Sequence, residues 1–96
     1  MRINPLLVFV IFTFSCADFR AYFNTYYNAE NLYEQAIRGR TPDKNKLKEV
    51  VKKCEKIVKN YPESKYAKKS ILLMGECFFY MDDLRNAEIK FNEYIS

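Results

Sequence analysis

The chain is predicted to be all-α, a run of antiparallel helix pairs. Three observations carry that expectation. Only two glycines and three prolines occur in 96 residues, which leaves few places for tight turns. Apolar residues recur at intervals of three and four along four separate stretches, the spacing of one helix face. No stretch alternates apolar and polar residues as a half-buried strand does.

The first segment precedes the helices. Arg2 is the sole charge in the first seventeen positions, and Leu6 to Phe14 reads LLVFVIFTF. Nine apolar residues are too few to cross a bilayer, which takes about 20. A basic start, a short apolar run and a small residue at the exit, here Ser15, make an export signal. With Cys16 directly after Ser15, the segment resembles a bacterial lipoprotein signal. By that resemblance residues 1–15 are removed and Cys16, the new first residue, carries acyl chains. Asp18 does not directly follow Cys16, so the same resemblance allows sorting to the outer membrane. A plain cleaved signal, an uncleaved anchor and a buried N-terminal helix are the alternatives.

The first helix is expected from about Asp18 to Ile37, where Phe19, Tyr22, Phe23, Tyr26, Ala29, Tyr33, Ala36 and Ile37 form the stripe. Gly39 suits its stop, since glycine takes a left-handed conformation at low cost. Thr41-Pro42-Asp43 reads as the next start, with Thr41 as cap, Pro42 at the first helical position and Asp43 near the positive end of the dipole. The second stripe is Leu47, Val50, Val51, Cys54, Ile57, Val58 and Tyr61, with lysines on the opposite side. Pro62 ends that helix. Ser64 caps a third, whose apolar set is Ala67, Ile71, Leu72, Met74, Cys77, Phe78 and Phe79. Asp82-Asp83 makes a turn, and Asp83 caps a fourth helix carrying Leu84, Ala87, Phe91, Tyr94 and Ile95. Cys54 and Cys77 lie on inner stripes, either as small buried hydrophobes or as a disulfide between adjacent helices.

These pairs carry a repeat signature. The tetratricopeptide pattern is W-x₂-L-G-x₂-Y, then A-x₃-F, then P, over about 34 residues. Ile71-x₂-Met74-Gly75-x₂-Phe78 followed by Ala87-x₃-Phe91 fits it, with Gly75 and Ala87 small where two helices must cross. The stretch YPESKYAKKSILLMGECFFYMDDLRNAEIKF resembles the BamD-like and Tol–Pal-associated periplasmic repeat proteins, which pair a Tyr-Pro-acid-Ser element with a Tyr-Ala pair and a later Gly. Tyr61, Pro62, Ser64, Tyr66, Ala67 and Gly75 fall on those positions, while Asp82 stands where the family usually has Gly. The resemblance covers about Asn28 to Ser96 and implies a TPR-like solenoid of about two repeats over residues 16–96. BamD-like proteins have more repeats. The expectation is therefore a truncated array, or one whose last helix another subunit covers, since a repeat cannot bury its apolar face alone.

Composition bounds the chemistry. The formal charge is +4, enough for solubility and for weak attraction to anionic surfaces. Together with an export signal it gives no reason to expect a nucleic-acid partner. With no histidine, Ser-His-Asp and Cys-His nucleophile systems and most catalytic zinc sites are excluded. No glycine-rich phosphate loop is present. The nearest carboxylate pairs, Glu30 with Glu34 and Asp82 with Asp83, read as an exposed helix face and a capped turn. The expectation is no enzyme, no cofactor and no metal.

In repeat arrays of this kind the first helix of each pair lines a concave surface. The resemblance places Lys69, Leu72, Glu76 and Phe79 there, with Phe23, Tyr26, Glu30 and Tyr33 as counterparts on the preceding pair. Exposed aromatics beside charges anchor peptides or partner helices. Lys44, Lys46, Lys48, Lys52, Lys53, Lys56 and Lys59 crowd the second helix as a solvated face or a contact with anionic headgroups. The resemblance implies a lipid-anchored scaffold on the periplasmic face of the outer membrane, binding other envelope proteins or their segments, with assembly of outer-membrane barrels as the specific expectation. A Tol–Pal-type coordinator of envelope and division, or an accessory subunit of an envelope enzyme, are the alternatives. An inner-membrane or free periplasmic location is the alternative address.

Overall fold

The computed structural model describes residues 18–96, and these are all helical apart from caps and links. The segment 1–17, with Cys16 and the proposed signal, lies outside the described residues. Four helices follow one another. Helix α1 covers residues 18–37 and includes a π-helical stretch, Tyr22–Tyr26, ahead of an α-helix over Tyr27–Ile37. Helices α2, α3 and α4 span Lys44–Asn60, Lys65–Tyr80 and Leu84–Ile95.

The π stretch explains which side of α1 faces inward. Its buried residues are Ala21, Tyr26, Ala29 and Ala36. The step of five from Ala21 to Tyr26 is one wide π turn, and the later steps are those of an α-helix. Phe19 and Phe23, expected on the inner stripe, are instead 60% and 56% exposed. The wide turn rotates them outward.

Two helix boundaries differ from expectation. Helix α1 ends without a left-handed residue at Gly39, because no glycine here has positive φ. The Ala36 carbonyl accepts instead from the Asp43 amide at 2.9 Å, so the end is tied by the incoming strand of the loop. The cap of α2 is Asp43 and not Thr41, and Pro42 lies outside the helix. The Asp43 carboxylate accepts from the amides of Asn45 and Lys46 at 3.1 and 3.2 Å. One side chain thus satisfies two of the amides that a helix start leaves unpaired.

The remaining boundaries follow the sequence reading. Helix α2 stops before Tyr61-Pro62, with the Tyr61 amide donating to Ile57. Ser64 accepts from Ala67 at 3.2 Å and Asp83 accepts from Asn86 at 3.3 Å. Asp82, between α3 and α4, has φ 63°, a left-handed conformation that favours glycine.

Leu47, Val50, Cys54 and Ile57 of α2 and Met74 and Cys77 of α3 form the centre of the core. Leu73, outside the expected stripe of α3, is buried, whereas Phe79 is 56% exposed. On α4 only Ala87 is buried, and Leu84 and Ile95, expected inside, are exposed because no described element packs over them. Both Cys54 and Cys77 are buried free thiols, so the core reading of these residues applies and the disulfide does not.

Ring contacts fix the directions. Tyr26 of α1 meets Tyr66 of α3 at 5.1 Å, and Tyr33 meets Tyr80 at 6.1 Å. Both chains advance in the same sense between those contacts, so α1 and α3 run parallel. Gly75 meets Phe91, and the Lys68 ammonium lies 5.2 Å over Tyr94, so α3 and α4 run antiparallel. Adjacent helices are thus packed as successive pairs.

Candidate functional site

The parallel α1 and α3 leave a groove between them of about 370 Å³. The Tyr26–Tyr66 and Tyr33–Tyr80 contacts bridge the two helices toward its ends. From α1 the walls are Tyr26, Glu30, Tyr33 and Glu34, which stand at intervals of four, three and one and share a face. From α3 they are Lys69, Leu72, Leu73 and Glu76, and Tyr94 of α4 reaches one edge.

Most of the residues expected on a concave surface meet here: Lys69, Leu72, Glu76, Tyr26, Glu30 and Tyr33. Phe79 and Phe23 do not line the groove. Phe79 stacks edge-on against Tyr80 at 5.7 Å and is exposed beyond it. Phe23 belongs to a separate cleft with Asp18, Phe19, Tyr22, Lys65 and Tyr66. Glu34, Leu73 and Tyr94 join the groove without having been expected. Glu34 could have been found as the residue one turn after Glu30. Tyr94 could not, because its place depends on how far α4 reaches over α3.

The electrostatics of the groove are lopsided. Three carboxylates, Glu30, Glu34 and Glu76, face one cation, Lys69. The Lys69 ammonium lies 5.4 Å over the Tyr66 ring, toward the Tyr26–Tyr66 end. Among the described residues the sole ion pair is Lys90 with Glu93 at 3.0 Å on α4, so none of the three carboxylates is ion-paired. The Tyr26 and Tyr33 phenols are held well above their ordinary range, first by burial and then by the adjacent charges of Glu30 and Glu76 respectively. Both hydroxyls are therefore protonated donors over the whole neutral range.

The residues expected to pack a repeat lie elsewhere. Gly75 is buried in α3 under the ring of Phe91, Ala87 is buried at the same crossing, and Phe78 is half-buried against the core. Pro62 is exposed at the link. Among the described residues no cluster of His, Cys, Asp and Glu is arranged to hold a metal ion, and no helix is long and apolar enough to cross a membrane.

The groove presents tyrosine faces and hydroxyls, two leucines and an excess of carboxylates. Comparison with protein-family models, with curated proteins and with solved structures finds no match.

Proposed function

We propose that the chain is a lipid-anchored envelope scaffold whose TPR-like helix pairs hold a segment of another protein. The observation that carries this reading is the groove between parallel helices, which gathers Tyr26, Tyr33, Lys69, Leu72 and Glu76 on one surface. The parallel course of α1 and α3 is what successive repeats require, and the fit of Gly75 and Ala87 to the repeat pattern supports it. Three carboxylates against one lysine suit a partner segment bearing Arg or Lys, which the Tyr33 and Tyr26 rings also attract. The N-terminal segment supports anchoring through Cys16, and the resemblance to BamD-like proteins supports a role in assembling outer-membrane proteins.

Site-specific photo-crosslinking in intact membranes tests the reading. A benzophenone side chain at Leu72, in the groove, should form a discrete adduct with a partner. The same group at Lys52, exposed on α2, should not. Equal adducts at both positions, or none at Leu72, would count against the groove. Metabolic labelling with a fatty acid tests the anchor: Cys16→Ala should abolish it.

A further inference from the structure

The start of α1 displays an aromatic surface that the groove does not use. Phe19, Phe23 and Tyr27 follow at intervals of four and are 60%, 56% and 48% exposed. Their spacing of four keeps them on one side of the helix, apart from the inward face that Ala21 and Tyr26 mark. The Phe19 and Phe23 rings lie 4.4 Å apart, and Tyr22 packs edge-on to Phe23 at 5.0 Å. The Phe19 and Phe23 rings form one exposed apolar patch, and such patches mark contact surfaces.

Its chemistry and its place point to one kind of partner. Basic side chains rim the stripe. Arg20 is exposed beside Phe19, Lys65 lines the cleft under Phe19 and Phe23, and the Lys65 ammonium lies 5.3 Å over Tyr66. Asp18 lines the same cleft, and its carboxylate is engaged there, accepting from the Lys65 amide at 3.2 Å. Aromatic rings among Arg and Lys are the composition of a surface seated at the headgroup level of a bilayer. The stripe also begins three residues after Cys16, a reach of about 10 Å at full extension, and follows the apolar run Leu6 to Phe14.

We propose that the Phe19–Phe23–Tyr27 stripe inserts at the lipid–water interface and, with Arg20 and Lys65 on anionic headgroups, forms a second membrane contact. It rests on the reading that the N-terminal segment is held at a membrane. The acyl chains expected at Cys16 hold the chain at the bilayer but leave its orientation free. Seating the stripe also orients the domain, with the beginning of α1 at the bilayer and the groove directed away from it.

The chain contains no tryptophan, so one introduced residue reports its own surroundings. The full chain carrying Phe23→Trp is compared with the full chain carrying Phe79→Trp. Both positions are exposed, and Phe79 lies about 20 Å along α3 from Tyr66. Each is mixed with vesicles of phosphatidylethanolamine and a minority of phosphatidylglycerol, containing phosphatidylcholine brominated near the carbonyl. The expected result is a blue shift and at least about twofold deeper quenching for Phe23→Trp than for Phe79→Trp. Equal quenching at both positions, or none at Phe23→Trp while the chain floats with the vesicles, overturns the stripe and leaves the anchor standing. A chain that does not float overturns both. A blue shift that appears without vesicles and grows with protein concentration assigns the stripe to a second copy and also overturns the proposal.

Discussion

A Cβ placed on Gly75 would stand 2.6 Å from Cε1 and 2.7 Å from Cδ1 of Phe91. Real Cβ atoms do not approach a ring so closely, so α3 and α4 keep their separation only while position 75 lacks a side chain. Glycine costs about 1 kcal/mol against alanine in a helix interior, and this contact is what offsets it.

Gly75→Ala therefore sets a propensity gain against a displaced ring. The ring is half-buried and shields Gly75, so its displacement should win, giving a net loss of about 1–2 kcal/mol. Gly75→Leu should lose about 3 kcal/mol or more, and Ala87→Leu at the same crossing about 1–3 kcal/mol. Urea denaturation checks all three. The Gly75→Ala loss should largely vanish in a Phe91→Ala background, because the two effects share one contact. A Gly75→Ala variant as stable as the parent would mean that the ring moves aside without cost.

Asp82 makes a second backbone prediction. Its φ of 63° strains any residue with a Cβ, though aspartate less than most. Asp82→Gly should stabilise by about 0.5–1 kcal/mol, and Asp82→Val should destabilise by about 1–2 kcal/mol. For a domain of this size the first change raises Tm by roughly 2–8 °C. A drop in Tm for Asp82→Gly would mean that the carboxylate supports the turn more than its backbone opposes it.

Much of this was legible because single residues carried it. Ser64, Asp83 and Pro62 each have a local reason to start or stop a helix, and each acts where it stands. Asp43 was read as a first-turn acid and proved to be the cap, because the choice between Thr41 and Asp43 turns on which carboxylate or hydroxyl reaches two amides at once. The π stretch was hidden for a different reason. Phe19, Tyr22, Phe23 and Tyr26 are all aromatic, so any rotation of α1 buries some of them, and the pattern does not single out the wide turn. In the groove, Lys69, Leu72 and Glu76 shared a face as expected. Phe79 did not line the groove, although it lies within about 20° of Leu72 around the helix, and its ring instead packs edge-on against Tyr80. Tyr80, one step further, meets Tyr33.

The cap assignment is itself testable. Asp43→Ala should cost about 1 kcal/mol, since two amides of α2 lose their acceptor. Thr41→Ala should stay within about 0.5 kcal/mol. Thermal melts of the two variants separate the assignments, and a larger loss at Thr41 would reverse them.

The outer side of α4 predicts a surface property. Leu84, Ile89 and Ile95 are 58%, 50% and 78% exposed. The chain should bind the dye ANS in its folded state, and Ile89→Lys with Ile95→Lys should reduce that binding. Because no described element packs on these side chains, stability should change by no more than about 0.5 kcal/mol per site. Unchanged dye fluorescence in the double variant would place the dye elsewhere.

The two core thiols predict how stability depends on pH. Burial pushes Cys54 from about 9 up to about 12, with the neighbouring Ser70 hydroxyl only partly opposing the rise. That hydroxyl is buried without a conventional hydrogen-bond partner among the described residues. Burial raises Cys77 as well, and Cys54 beside it adds to the effect. Both groups keep their protons in the folded state at pH values where the unfolded chain has released them. Below about 9 the two states bind these protons alike, and stability is flat in respect of the thiols. From about 9 upward the folded state binds more protons than the unfolded one, so stability falls until the folded values are passed. The raised Tyr26 and Tyr33 phenols act in the same direction from about 10. Urea midpoints should therefore hold between pH 7 and about 9 and decline steadily above it. In a Cys16→Ala background, Ellman's reagent at pH 8 should leave both thiols untouched until urea unfolds the chain, since the thiolate is the reacting species and neither sulfur is exposed. Rapid labelling of the native protein would show that α2 and α3 open locally far more often than their packing implies.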